Sequence, residues 1–160
     1  EKILNILMGQ KGFFEFQYHV VVGGGFEKDI WSDCSIIDCK NIFLYDKPEN
    51  ISGIMAKCDI AVTAGGSTLY ELAACGIPAV VFAYADNQLL HIKALERCGI
   101  LKYVGYYREL NQQQLIDEIK YLMTHVDIRD EIAERAKSLV DGNGCRRIVE
   151  KVEQRVFQDE

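Results

Sequence analysis

The chain has 160 residues, of which 49% are hydrophobic and two are proline, so it is long enough to bury one good core. A single domain over residues 1–160 is therefore the expectation. The net charge of -6 is spread without basic runs, which argues against a nucleic-acid groove or a polybasic membrane anchor. No apolar run approaches the ~20 residues that span a bilayer, and the first residues lack a signal-peptide core. These features predict a cytoplasmic protein without stable membrane insertion, whose partners are small molecules or proteins.

The elements predicted in chain order alternate between short β-rich runs and helical patterns, which is typical of βα units with a parallel sheet. The predicted strands are Tyr18–Val22, Ile42–Tyr45, Ile60–Thr63, Ala79–Phe82 and a weaker Lys102–Val104. The predicted helices between them are Glu27–Ile37, Ile51–Lys57, Thr68–Cys75 and Asn87–Cys98. A helical tail follows, with Gln112–Thr124, Ile128–Val140 and Arg146–Phe157. The expected fold is α/β, a Rossmann-like parallel sheet flanked by helices.

The start of the chain departs from this pattern. Lys2–Met8 is typical of the last turns of an amphipathic helix, and no strand precedes it. A domain of this type normally opens with a strand whose C-terminal turn contacts ligand. We therefore expect the chain to be a fragment of a longer product, although a domain that begins with a helix fits the same residues.

The six cysteines are scattered and form no CxxC pair. This spacing favours reduced cysteines that serve as small core residues over a disulfide framework or a metal site. No other set of side chains has the spacing of metal ligands, so neither a metal nor an organic cofactor is predicted.

The most informative segment runs from Asp59 to Pro78 and has the order strand, glycine turn, helix, glycine stop. Gly65 and Gly66 allow a ligand to approach the backbone, and the helix start beyond them presents free N–H groups and the positive end of its dipole. No Lys or Arg occurs from Cys58 through Ile92. A phosphate held here is therefore bound by backbone amides, the dipole and the hydroxyls of Ser67 and Thr68.

A purely structural alternative exists for the same residues. Thr68 could cap the helix, with Glu71 completing a Thr-x-x-Glu capping box. That alternative leaves unexplained the paired glycines and Ser67 at the carboxyl end of a strand, where open α/β sheets bind ligands. Phosphate binding is therefore favoured, and the Glu71 carboxylate is suited to accept hydrogen bonds from a ribose diol.

Polar residues also follow the next strand, at Asp86, Asn87 and Gln88. Asp86 is a natural N-cap, and the two amides suit sugar hydroxyls, so structural and functional roles stand about equal here. Pro48 ends the second strand, where neighbouring backbone groups could pair with a base edge. His91 lies near the expected pocket. No nucleophile with a base and no catalytic carboxylate pair can be assembled, so no catalytic residue is predicted in this chain.

The segment Asp59–Pro78, together with Ala85-Asp86-Asn87-Gln88, resembles the C-terminal domain of family 28 glycosyltransferase-like proteins. Within that family the similarity is to the UDP-sugar hydrolases of pseudaminic acid synthesis and to spore-coat polysaccharide relatives. It covers most of Tyr18–Gly105, whereas the helical tail is generic.

The resemblance implies a GT-B architecture, in which UDP-sugar lies between two Rossmann-like domains and this chain is the donor-binding half. It implies that residues 65–68 take the diphosphate, Glu71 the ribose and residues 86–88 the sugar, with the base near Pro48. The catalytic histidine of the hydrolase is implied to lie on an N-terminal domain that this chain lacks, so the fragment should bind without turnover. The resemblance also implies that the first strand of the C-terminal domain is absent from this chain.

Three functions remain open from the sequence. One is a UDP-sugar hydrolase of polysaccharide or nonulosonic acid synthesis, and the second is a family 28 glycosyltransferase proper. The third is a non-catalytic interaction or receiver-like module. A receiver needs an acidic cluster at strand ends to hold Mg²⁺, but Asp59 precedes its strand and the strand ends in Thr63-Ala64-Gly65.

Overall fold

The computed structural model describes residues 2–23 and 40–156. The predicted helix Glu27–Ile37 lies outside the described residues. The chain divides into two compact units, Glu1–Cys58 and Asp59–Glu160. The prediction of one domain over residues 1–160 stays a prediction.

Two parallel strands are formed by the described residues of the first unit. Helix α1 (Lys2–Met8) precedes strand β1 (Tyr18–Val22), and strand β2 (Ile42–Asp46) is followed by the short helix α2 (Ile51–Met55). β1 and β2 pair in parallel, with Tyr18 opposite Ile42 and Val22 opposite Asp46. The helix predicted at Lys2–Met8 and both strands are thus confirmed.

The second unit contains a parallel sheet with strand order β3-β4-β5. Its strands are β3 (Ala61–Ala64), β4 (Ala79–Ala83) and β5 (Leu101–Tyr106). β4 is the central strand, and its residues Val80, Val81 and Ala83 are fully buried. A near-continuous apolar run is what a parallel strand covered on both faces requires. The carboxyl ends of all three strands meet at one edge of this sheet.

In residues 59–156, the described part of the second unit, five α-helices flank the sheet. They are α3 (Thr68–Cys75), α4 (Leu89–Arg97), α5 (Gln112–Thr124), α6 (Val126–Leu139) and α7 (Gly144–Val156). α5 and α6 bury the apolar residues Leu115, Leu122 and Ile132 in the core. The prediction of an α/β fold with parallel strands, flanking helices and a helical tail is confirmed.

Three local predictions need correction. The helix predicted to begin at Asn87 starts as a 3-10 turn, Asp86–Gln88, and becomes α-helical only at Leu89. The weak strand predicted at Lys102–Val104 continues to Tyr106. The described cysteines were expected in the core, but Cys58 and Cys75 are half-buried and Cys98 and Cys145 are exposed.

The glycine predicted to stop α3 does so. Gly76 has a φ of 71°, in the left-handed region, and the N–H of Ile77 donates to the carbonyl of Leu72 at 2.9 Å. This is the Schellman arrangement that satisfies the last carbonyls of a helix. It directs the chain back into the buried strand β4.

None of the helices formed by the described residues combines the length and apolarity needed to cross a membrane.

Replacing Gly76 with alanine is expected to lower the free energy of unfolding by about 1–2 kcal/mol, because a side chain at this φ is strained. Urea denaturation followed by circular dichroism measures the change. Gly144→Ala is the matched control, since Gly144 is not in the left-handed region and a methyl group there meets no atom within 4 Å. Equal stability of Gly76→Ala and the wild type would contradict the proposed role of this stop.

Candidate functional site

The turn between β3 and α3 presents two unpaired backbone donors. Within the described residues, the N–H of Gly66 donates to the carbonyl of Ala64 at 2.8 Å and that of Leu69 to Gly66 at 3.2 Å. No acceptor among the described residues takes the N–H groups of Ser67 and Thr68. These donors lie at the positive end of the α3 dipole, an arrangement that suits an anion.

The capping box considered from the sequence is absent among the described residues. Ser67 is the N-cap, with φ -60° and ψ -25°, and its side chain makes no capping hydrogen bond. Thr68 is already the first helical residue, so it cannot serve as the cap. The hydroxyls of Ser67 and Thr68 and the carboxylate of Glu71 have no protein partner in the described part of the chain, which leaves them available to a ligand.

The two adjacent glycines have different roles. A methyl group placed on Gly65 would overlap the side chain of Ile92 and come within 3.3 Å of Cβ of Gln88. Gly65 is buried, whereas a methyl group on Gly66 meets no atom within 4 Å. Gly65 is therefore required by the packing of α4, and only Gly66 faces open space.

The same packing brings the two predicted segments together. Gln88 ends the 3-10 turn after β4, and its contact with Gly65 places that turn beside the β3–α3 turn. Tyr70 on α3 and His91 on α4 form a second link, with 3.1 Å between Tyr70 Oη and His91 Nδ1. The sequence placed His91 near the pocket but gave no sign of its Tyr70 partner, because that pairing depends on the approach of two helices.

Residues 86–88 differ in the partners of their side chains. Gln88 Oε1 accepts a hydrogen bond from the backbone N–H of Tyr84 at 2.8 Å, which closes the loop. Asp86 Oδ1 accepts one from Tyr106 Oη at 2.6 Å. Asn87 is exposed and makes no hydrogen bond to the described residues. The prediction that Asp86 is an N-cap is wrong, because the cap of the 3-10 turn is Ala85 and that of α4 is Gln88.

Tyr106 is a residue of this edge that the sequence reasoning missed. Its hydrogen bond to the Asp86 carboxylate raises the pKa of the phenol to about 12. The charged carboxylate stabilises the neutral phenol that donates to it. The sequence does contain an indication of this residue, because Gly105-Tyr106-Tyr107 directly follows the predicted strand Lys102–Val104. The prediction ends this strand two residues before the structure does.

Pro48 lies in the first unit, two residues after β2. Lys47 before it has a φ of 46°, and Asn50 caps α2 by accepting a hydrogen bond from the N–H of Gly53 at 2.8 Å. Base binding near Pro48 stays a prediction.

The family of the chain follows from comparison with known proteins. Residues 9–152 match the model of the glycosyltransferase family 28 C-terminal domain. The chain therefore belongs to the glycosyltransferase family 28 C-terminal domain family, as the motifs at Asp59–Pro78 and Ala85–Gln88 indicated.

The chain is also similar in sequence to two curated proteins. The chain is 26% identical over 105 residues to the spore coat polysaccharide biosynthesis protein SpsG of Bacillus subtilis, covering 66% of this chain and 31% of that protein. It is 29% identical over 102 residues to the pseudaminic acid cytidylyltransferase and UDP-2,4-diacetamido-2,4,6-trideoxy-beta-L-altropyranose hydrolase of Helicobacter pylori, covering 52% of this chain and 20% of that protein. The chain thus spans less than a third of the length of either relative.

A solved structure supports the fold. UDP-GlcNAc 2-epimerase from Neisseria meningitidis, solved with UDP-GlcNAc bound, matches 95% of this chain and 40% of its own with a TM-score of 0.71 at 18% identity. MurG from Acinetobacter baumannii also matches 95% of this chain and 53% of its own, with a TM-score of 0.64 at 16% identity. Together with the family match, these structures confirm the expected GT-B type of C-terminal fold.

Replacing Gly65 with alanine is expected to lower the free energy of unfolding by about 1–3 kcal/mol, because the new methyl group overlaps Ile92. Gly66→Ala, the matched control, should change it by less than about 0.5 kcal/mol. In an Ile92→Ala background, Gly65→Ala should cost much less, because the space is then open. Urea unfolding of the four variants measures the coupling, and additive losses would contradict the proposed contact.

Replacing Asp86 with asparagine should lower the pKa of Tyr106 from about 12 toward the ordinary value of 10. The raised pKa means that this bond contributes stability below about pH 10 and loses it as the pH rises through about 12. The difference in tyrosinate absorbance between each protein and its Tyr106→Phe counterpart isolates this titration. An unchanged Tyr106 titration in Asp86→Asn would contradict the hydrogen bond.

Proposed function

We propose that this domain binds the UDP-sugar substrate of an enzyme of bacterial polysaccharide or nonulosonic acid synthesis. The observation that carries the proposal is the juxtaposition of the β3–α3 turn, with its unpartnered donors, and the polar turn after β4. Both lie at the carboxyl edge of the sheet in the second unit, where open α/β sheets bind nucleotides. The family and the polysaccharide relative support the same assignment.

The diphosphate is assigned to residues 65–68. The free N–H groups of Ser67 and Thr68 supply donors, their hydroxyls add two more, and the α3 dipole adds partial positive charge. No Lys or Arg occurs from Cys58 through Ile92, so this segment offers the phosphates neutral donors only. Gly66 leaves the approach to these donors open.

The ribose is assigned to Glu71, which is exposed in the first turn of α3 and has no ion pair within the described residues. A carboxylate accepts two hydrogen bonds from a vicinal diol, whereas beside a phosphate it would be repelled. The sugar is assigned to Asp86, Asn87 and Gln88, which offer carboxylate and amide groups.

The chemical step is assigned to a part of the enzyme outside this chain, an N-terminal domain that faces the bound UDP-sugar. Two reactions fit the relatives. The Helicobacter pylori relative is named as a UDP-sugar hydrolase, and the family itself is named for glycosyl transfer. In either reaction this domain holds the nucleotide and exposes the anomeric carbon to a group on the other domain. Neither a metal nor a cofactor is part of the proposal.

Titration of the ¹⁵N-labelled 160-residue chain with UDP tests the proposal. We expect shifts of the amide resonances of Gly66, Ser67 and Thr68, with smaller shifts for residues 86–88. Free uridine should shift residues 66–68 much less, because it lacks the diphosphate. The absence of any response at millimolar UDP would overturn binding by this domain.

Glu71→Gln should weaken UDP binding by roughly 5- to 20-fold, because the neutral amide still accepts a hydrogen bond and only the additional strength of a charged acceptor, about 1–1.8 kcal/mol, is lost. The loss should be much smaller with 2′-deoxy-UDP, which lacks one of the two hydroxyls that the carboxylate would hold. Glu153→Gln is the matched control, because Glu153 is an exposed glutamate on α7. Isothermal calorimetry measures the affinities, and equal losses for the two nucleotides would remove Glu71 from the ribose site.

A further inference from the structure

A β-bulge interrupts the pairing of the two strands that end beside residues 86–88. Val81 is opposite Tyr103, but Ala83 is opposite Tyr106, so β5 has one more residue than β4 over this interval. Gly105 lies within the interval with a φ of 91°, in the left-handed region. A left-handed glycine is a common solution to an additional residue in a strand.

The bulge decides the direction of Tyr106. Side chains alternate between the faces of a strand, so one additional residue moves every later side chain to the other face. Tyr106 therefore shares a face with Tyr103 rather than with Val104, which is 1% exposed in the core. From this position the Tyr106 hydroxyl reaches Asp86 Oδ1 at 2.6 Å.

We propose that Tyr106, turned toward the ligand edge by the bulge at Gly105, is a positioning residue that holds the Asp86 carboxylate for a hydroxyl of the bound sugar. This inference rests on the proposed function of the domain. Within that function, Asp86 contacts the sugar and Tyr106 orients the Asp86 carboxylate. The raised pKa of Tyr106 agrees with a phenol that stays a neutral donor throughout the physiological range.

The partners of Asp86 support this role. Tyr106 occupies Oδ1, and no hydrogen bond from the described residues reaches Oδ2. Asp86 is exposed, so Oδ2 is open to a ligand. A carboxylate held at one oxygen loses less rotational freedom on binding than a free one, which is how preorganisation improves affinity. The 3-10 turn also holds the backbone of Asp86, because Gln88 Oε1 accepts a hydrogen bond from the N–H of Tyr84 and closes the loop that contains Asp86.

The test compares the affinity for UDP-GlcNAc with that for UDP by calorimetry, using the 160-residue chain. The ratio of the two affinities isolates the contribution of the sugar. Tyr106→Phe should reduce this ratio by roughly 3- to 10-fold, the effect of one hydrogen bond, and leave the affinity for UDP unchanged. Tyr103→Phe is the matched control, because Tyr103 lies on the same strand and face but makes no hydrogen bond to Asp86.

Two further variants separate positioning from a general structural effect. Asp86→Asn should reduce the ratio as well, and adding Tyr106→Phe to it should produce little further loss, because both act through one carboxylate. Gly105→Ala strains the bulge, so it should reduce the ratio in the same way as Tyr106→Phe. If Gly105→Ala fails to fold, the Tyr106 and Asp86 variants still decide the question.

The outcomes distinguish the two proposals. If the wild-type chain binds neither UDP nor UDP-GlcNAc, the proposed function fails and this inference fails with it. If UDP binds but the wild-type ratio is one, the assignment of the sugar to residues 86–88 fails together with this inference, whereas nucleotide binding stands. If the ratio exceeds one but is unchanged in Tyr106→Phe, only the inference fails. A loss of equal size in Tyr103→Phe, or fully additive losses for Asp86 and Tyr106, would also overturn the positioning role.

Discussion

The packing of Ile92 directly on Gly65 is the contact on which the candidate site depends. Ile92 is fully buried, and no side chain on Gly65 separates α4 from the β3–α3 turn. β3 and β4 are neighbours in a parallel sheet, so their carboxyl ends are close together. The contact between Ile92 and Gly65 then brings the segment after β4 against the β3–α3 turn. Two loops that are about 20 residues apart in the chain thereby form one surface.

The polar groups at this edge of the sheet are of two kinds, those with a protein partner and those without one among the described residues. Gln88 Oε1 and Asp86 Oδ1 are engaged by protein donors, so they shape the turn after β4. The hydroxyls of Ser67 and Thr68 and the Glu71 carboxylate have no partner in the described part of the chain, so a ligand gains their hydrogen bonds without breaking others. A site in which some groups fix the backbone and others stay free is organised before binding, which lowers the ordering cost.

Features set by local sequence were predictable. The alternation of apolar runs gave the strands, and Gly76 marked the end of α3, because periodicity and backbone freedom act within a few residues. The different roles of Gly65 and Gly66 were not predictable, since they depend on which glycine faces Ile92. The capping box failed for a similar reason. Ser67 has helical dihedrals, which makes Thr68 a helical residue although its sequence pattern suits a cap.

The position of Tyr106 could not be predicted from local sequence either, because it depends on the bulge at Gly105. An unbroken alternation along β5 predicts Tyr106 on the face of Val104 rather than on that of Tyr103. The register that places it opposite Ala83 is set by pairing with β4, which is information from a segment about 20 residues away.

The charge of the chain restricts how the proposed nucleotide-sugar ligand would be held. The net charge is -6, and Glu71 and Asp86 lie on the two segments assigned to the ligand. The chain therefore repels a diphosphate at long range. At short range, the N–H and hydroxyl donors of Ser67 and Thr68 oppose this repulsion. A helix dipole acts mainly within its first turn, so it favours a phosphate only in close contact. Selectivity in such a site comes from fit to the backbone rather than from charge attraction, because the segment from Cys58 through Ile92 contains no Lys or Arg and Gly66 leaves the approach to the backbone donors open.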